Sequence, residues 1–137
     1  MAIPLLKVIA ASPGKKGDVS PVLHAAAVET MIAAPKGWCP NPEHTVCLRV
    51  TGDSMMPLIH DGYVIAVDAT QMDRAQLDGK IVVAWNKDNG LTVCRFRRYD
   101  HTEVLQPDNQ AYESITLNNT NRWKILAKVL WWIGQAP

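Results

Sequence analysis

One stretch of this 137-residue chain could do covalent chemistry. In Val50-Thr51-Gly52-Asp53-Ser54-Met55-Met56-Pro57 a β-forming run ends at a glycine, and a serine follows at once. A hydroxyl at the end of a strand, beside turn N–H groups, can act as a nucleophile with oxyanion donors next to it. Gly52, Asp53 and Met55 are the residues that would build that turn, and Met56 would extend it until Pro57 stops it. Taken alone, a Gly-Asp-Ser triplet more often caps a turn, with the methionines filling core. The other reactive side chains are dispersed. Cys39, Cys47 and Cys94 form neither a disulfide framework nor a CxxC metal pair. His24, His44 and His101 stand isolated, and His60 beside Asp61 lacks a second ligand cluster, so no metal and no cofactor is expected.

The elements that must position Ser54 are mostly strands. Hydrophobic residues make up 47% and charged residues 20%, as in a globular protein of one compact unit. Lys plus Arg is 14 against 13 for Asp plus Glu, a formal net charge of +1, which excludes holding nucleic acid by charge alone. No apolar run approaches a membrane span, and the start Met1 to Lys7 lacks a secretory leader. Reduced cysteines in a cytoplasmic protein, with no membrane contact, are the expectation. Ile3 to Ala11 is a short apolar segment, Ser12 to Gly17 reads as an exposed loop, and Ser20-Pro21 opening an alanine-rich run favours a helix over Ser20 to Glu29. Pro35, Gly37, Pro40 and Pro42 then break regular structure. Residues 1–43 are accordingly expected to be an N-terminal arm and residues 44–137 the folded domain.

Strand signals follow over Val46–Val50, Tyr63–Val67, Ile81–Trp85, Leu91–Phe96, Glu103–Gln106 and Lys124–Ile133. Asn86-Lys87-Asp88-Asn89-Gly90 is a turn that makes a hairpin of its flanking strands, and Pro107 to Ser114 is a loop. The expected class is mainly β, a partly closed sheet. Arg95, Arg97 and Arg98, with Lys87, read as a solvated basic edge. Trp131 and Trp132 must face opposite sides of their strand, so one is exposed and suggests an interface.

Five blocks in order resemble the LexA/UmuD/CI-repressor family of self-cleaving repressor and mutagenesis proteins, whose C-terminal domain shares a fold with signal peptidases. Arg49-Val50-Thr51-Gly52-Asp53-Ser54-Met55 is similar to the family's nucleophile block, and Asp61-Gly62-Tyr63-Val64-Ile65-Ala66-Val67-Asp68 to the strand after it. Asp78-Gly79-Lys80-Ile81-Val82-Val83-Ala84 and Leu91-Thr92-Val93-Cys94-Arg95-Phe96 resemble the next two strands, and Leu105-Gln106-Pro107-Asp108-Asn109 the Leu-x-Pro-x-Asn loop. The resemblance implies a LexA/signal-peptidase-like, partly closed β fold with a flexible cleavage-site arm. It implies that Ser54 attacks the chain's own peptide bond, between Ala11 and Ser12, with a lysine as general base.

The matching strand puts Cys94 at the lysine position. A lysine with a free pKa of about 10.4 must be desolvated to accept a proton near neutrality. Arg95 points to the other face and cannot serve. Cys94 is either an unusual base or a small apolar filler where a lysine stem would lie. The scissile glycine is replaced as well, by Ser12. Both departures point to a domain that keeps the peptidase fold and has lost self-cleavage, by nature or by a Lys→Cys change made to trap the intact chain. By resemblance the function is the regulatory, homodimerising domain of a transcriptional repressor, with DNA contact through an upstream domain and DNA damage (the SOS response) sensed through a RecA-type filament. The alternatives are a UmuD-like accessory subunit of a translesion DNA polymerase and an active self-cleaving serine peptidase.

Overall fold

The computed structural model describes residues 1–11, 27–118 and 120–136. The expected loop over Ser12 to Gly17, and most of the expected helix over Ser20 to Glu29, lie outside these residues. The strands are β1 (Ala2–Ala11), β2 (Val28–Ala33), β3 (Thr45–Thr51), β4 (Val64–Asp68), β5 (Ile81–Asn86), β6 (Gly90–Tyr99), β7 (Thr102–Gln106), β8 (Ile115–Thr116) and β9 (Lys124–Ile133). Val28 and Glu29 are strand rather than helix. Val28, Thr30 and Ile32 are β-branched, and antiparallel pairing of Ile3 with Ile32 and Leu5 with Thr30 overrides the local preference. The two-residue β8 falls just beyond the expected 107–114 loop and pairs Ile115 with Leu105.

One sheet holds all these strands, in the order β2-β1-β3-β4-β9-β5-β6-β7-β8. A further parallel bridge, Ala11 with Thr92, joins β1 to β6. The ring β1-β3-β4-β9-β5-β6 therefore closes into a barrel, and Ala11 is its closing residue. β4 is buried along all five residues, which is why Val64-Ile65-Ala66-Val67 carries no polar alternation. Asn86 pairs with Gly90 across the hairpin, Gly90 takes φ 73°, and the Asn86 carboxamide oxygen accepts from the Asn89 N–H at 2.7 Å.

The barrel interior is filled from every strand of the ring. Leu6 and Ala10 of β1, Leu48 and Val50 of β3, Ile65 and Val67 of β4, Val83 of β5, Leu91 and Val93 of β6 and Val129 of β9 meet there. Burying each Val, Ile or Leu contributes about 1.5–3 kcal/mol. Two outer clusters flank the barrel. One lies over β5 and β6 and holds Leu77, Val82, Cys94, Phe96, Leu105 and Trp123. The other lies over β1, β3 and β4 and holds Ile3, Leu5, Cys39, Cys47 and Ala66, with Trp131 packed against it. Trp132, on the opposite side of β9, is exposed. Among the described residues no helix is long and apolar enough to cross a membrane.

Asp68 closes β4 as a fully buried carboxylate. It accepts from Asn41 Nδ2 at 3.0 Å, Thr70 N at 2.9 Å, Thr70 Oγ1 at 2.6 Å and Gln71 Nε2 at 2.9 Å. Burial pushes its pKa up, but the donors Asn41, Thr70 and Gln71 outweigh burial and hold it below the usual carboxylate range. A depressed native pKa gives stability that is present above the unfolded value of about 3.9 and lost as pH falls through the native one. Urea unfolding of Asp68→Asn near neutral pH is expected to show a loss of about 1–3 kcal/mol. That loss should shrink below pH 4 (where the wild-type carboxylate also takes up its proton), and a loss independent of pH would show that Asp68 is not the linked group.

Candidate active site

β3 ends where the chain needs a conformation that only glycine adopts without strain. Gly52 has φ 95°, and its N–H donates to Asp61 Oδ1 at 2.7 Å. That donor is thereby committed to the turn rather than to an oxyanion. The loop is pinched at its base by Val50 N to Tyr63 O at 2.9 Å and Gly62 N to Val50 O at 2.8 Å. Between these points Met56 N donates to Asp53 O, and both Leu58 N and Ile59 N donate to Met55 O. The helical turn therefore runs past Pro57 instead of stopping there. Its donors sit on residues 58 and 59, so the missing proline N–H costs nothing. Met55 and Ile59 plug the end of the barrel. Anchored by them, Ser54 sits only 4% exposed.

The loop after β7 grips this turn. Asn109 N donates to Ser54 O at 2.9 Å, Asn109 Nδ2 donates to Asp53 O at 3.0 Å, and the Tyr112 hydroxyl donates to Asp53 Oδ1 at 2.5 Å. The preceding Asp108 forms a bidentate pair with Arg95, at 3.0 Å to Nε and 2.8 Å to Nη2. Arg95 Nη1 also donates to Gly79 O at 2.8 Å.

Position 94 is on β6, next to Arg95. Cys94 is fully buried in the outer cluster with Val82, Phe96 and Leu105. Burial pushes its thiol up to about 12; the neighbouring Thr92 hydroxyl opposes this and the nearby Asp108 charge adds to it. Thr92, two residues earlier on the same face, is also buried, and its Oγ1 donates to Ala11 O at 2.7 Å. The end of β1 thus lies between β3 and β6. Ala11 pairs with Thr51, three residues before Ser54, and with Thr92, two before Cys94. Ser12 lies outside the described residues.

Among the described residues no lysine is buried. Lys7, Lys36, Lys80, Lys87 and Lys124 are exposed and Lys128 is half-buried. The basic edge is ion-paired at each arginine of β6. Arg95 meets Asp108, Arg97 lies 3.5 Å from Asp78, and Arg98 lies 3.8 Å from Glu103, while Lys87 sits in the turn at the far end of the hairpin. His60 stacks on Tyr63 with its ring centroid at 5.1 Å. No cluster of three metal-ligating side chains occurs among the described residues. Burial, with Cys39 close by, pushes the Cys47 thiol up to about 12. Thr92 was not singled out by sequence reasoning, and Asn109 was quoted only as part of the Leu-x-Pro-x-Asn resemblance, with no role given. A threonine inside the apolar run Leu91 to Phe96 is the signal that could have found the first.

The Peptidase S24-like family model matches residues 7–130. The chain is 35% identical over 119 residues to the LexA repressor of Bacillus subtilis (strain 168), covering 85% of this chain and 55% of that protein. It is 33% identical over 118 residues to the LexA repressor of Bacillus cytotoxicus, covering 85% and 54%. The LexA repressor of Bacillus velezensis is 33% identical over 119 residues, with the same coverage of 85% and 54%. The chain spans about half the length of these curated relatives.

Complete burial and a raised pKa make Cys94 a poor nucleophile toward alkylating reagents. Native protein treated with iodoacetamide at mildly alkaline pH is expected to leave the Cys94 peptide unmodified, while the same treatment in urea labels it. Peptide mass spectrometry reads both. Rapid native labelling would show that the outer cluster opens and that the thiol is accessible.

Proposed function

The chain belongs to the Peptidase S24-like family, in the LexA/UmuD group of C-terminal domains, and from that premise we propose that it is the regulatory domain of a LexA-type repressor that seats its own cleavage-site segment without cutting it. In such chemistry the Ser54 hydroxyl attacks a carbonyl of the arm and must hand its proton to a neighbouring base. The site residues in this proposal are Ser54 at the nucleophile position, Cys94 at the base position and Ala11–Ser12 as the bond presented. Seating supports the proposal, because Ala11 bridges the strand that leads to Ser54 and the strand that carries position 94. Thr92 Oγ1 on the Ala11 carbonyl adds a donor that would polarise it.

The observation that carries the loss of cutting is the setting of Cys94. Burial pushes its thiol up to about 12, so it stays protonated at neutral pH. A protonated thiol accepts no proton from a serine, and no described lysine is buried to replace it. The domain would then act as a seated, uncut module that pairs with a second copy, with DNA contact made outside the matched region. A filament of the RecA type would be its partner only if some cutting survives.

Incubated at alkaline pH, the chain is expected to remain whole by intact-mass spectrometry. Cys94→Lys is expected to release a fragment beginning at Ser12, at a rate that climbs about tenfold per pH unit until the amine is neutral. Adding Ser54→Ala should abolish that release. In a Cys39→Ala, Cys47→Ala background, alkylating the unfolded chain with 2-bromoethylamine and refolding gives an independent route, since aminoethyl-cysteine has the reach of lysine. A Ser54-dependent fragment from the unaltered chain would overturn the loss of cutting. A silent Cys94→Lys protein that remains folded would overturn the assignment of position 94. A fragment beginning at Ala11 would move the presented bond by one residue.

A further inference from the structure

A nucleophile turn capped by one buried anchor at each end would still swing, because its exposed side has no strand partner. Here the exposed side is held by the loop after β7, chiefly through Asn109. Two consecutive carbonyls, of Asp53 and Ser54, are bonded by Asn109, one by its side chain and one by its backbone. Asn109 Oδ1 in turn accepts from Ala111 N at 3.0 Å, which fixes the carboxamide orientation. Tyr112 reaches the Asp53 carboxylate from the same loop at 2.5 Å, a short charge-assisted bond.

What makes the loop stiff lies behind Asn109. Its neighbour Asp108 is clamped in two-point fashion by Arg95, whose third donor goes to Gly79 O. The Arg95–Asp108 pair is partly buried, with side-chain exposures of 26% and 16%, and its planar geometry resists rotation. Arg95 is the residue after Cys94 on β6. A continuous run of short bonds therefore connects the strand that carries position 94 to the backbone of Ser54, through Arg95, Asp108 and Asn109.

We infer that Asn109, braced by the Arg95–Asp108 pair and assisted by Tyr112, is the positioning residue that holds the Ser54 turn in fixed relation to position 94. It touches no reacting atom. It sets where the Ser54 hydroxyl stands relative to the base position and to the seated arm. The inference rests on the proposed roles of Ser54 and position 94, but the rigidity it asserts belongs to the unaltered chain and is measurable there.

The test uses Tyr112→Phe, Asp108→Asn and Asn109→Ala, each followed by hydrogen–deuterium exchange and thermal unfolding. Amides of residues 52–59 are expected to exchange about tenfold faster in each variant, the change expected on losing one hydrogen bond, with β4 and β9 unaffected. Tyr112→Phe keeps the ring and backbone and so serves where Asn109→Ala fails to fold. In the Cys94→Lys background Tyr112→Phe and Asn109→Ala should slow fragment release about tenfold while the pH midpoint of the rate stays in place, because neither changes a charge that acts on the base; Asp108→Asn removes a charge felt at position 94 and is read by exchange alone. Unchanged exchange over 52–59 would overturn the inference, as would acceleration spread evenly over the whole sheet. A Cys94→Lys protein that does not cut bears on the proposed function alone, since the exchange measurement decides the brace without it.

Discussion

The barrel closes on one residue, and that residue belongs to the segment the site would act on. Ala11 pairs with Thr51 on one side and Thr92 on the other, and its carbonyl accepts the Thr92 hydroxyl. Without this bridge β3 and β6 would each leave an edge at the mouth of the barrel, with unpaired backbone groups. On the proposed reading, substrate seating and fold closure would be the same set of hydrogen bonds, and the entropy of bringing a peptide to Ser54 would already be met by folding. What remains to be controlled is proton transfer.

Control by a single side chain follows from that arrangement. An apolar pocket disfavours whichever charged form its occupant has. For an amine that means a lowered pKa and a usable base. For the thiol of Cys94 it means a raised pKa, to about 12, and an occupant that stays protonated. The same surroundings, Val82, Phe96 and Leu105 among them, would activate one residue and silence the other. A neutral thiol at position 94 is compatible with burial in this cluster.

Rigidity in the site comes from the periphery rather than from the barrel. Met55 and Ile59 hold the Ser54 turn from inside by apolar packing, which fixes depth but little else. Direction comes from hydrogen bonds contributed by the loop after β7, through Asn109 and Tyr112. Arg95 of β6 serves this purpose as an ion-paired brace on Asp108, and Arg97 and Arg98 pair with Asp78 and Glu103. That is why a run with three arginines contributes no bare cationic surface.

The strands whose period and composition agreed with their place in the sheet were legible in the sequence. Lys124 to Ile133 reads as a strand and is one, and the Asn86 to Gly90 turn follows from the need for positive φ at Gly90. Ser54 after Gly52 was legible for the same local reason, and the block order around Cys94 carried the family. Only the tertiary structure decided the fate of Val28 and Glu29, since their helical preference is weaker than the pairing that β1 offers. It alone joined Ala11 to Thr92 and Asn109 to Ser54, contacts between residues 81 and 55 positions apart. Local sequence sets propensity and periodicity over a few residues. Partners so distant are selected by sheet closure and by the requirement that buried polar groups be bonded, and neither leaves a short-range mark on the chain.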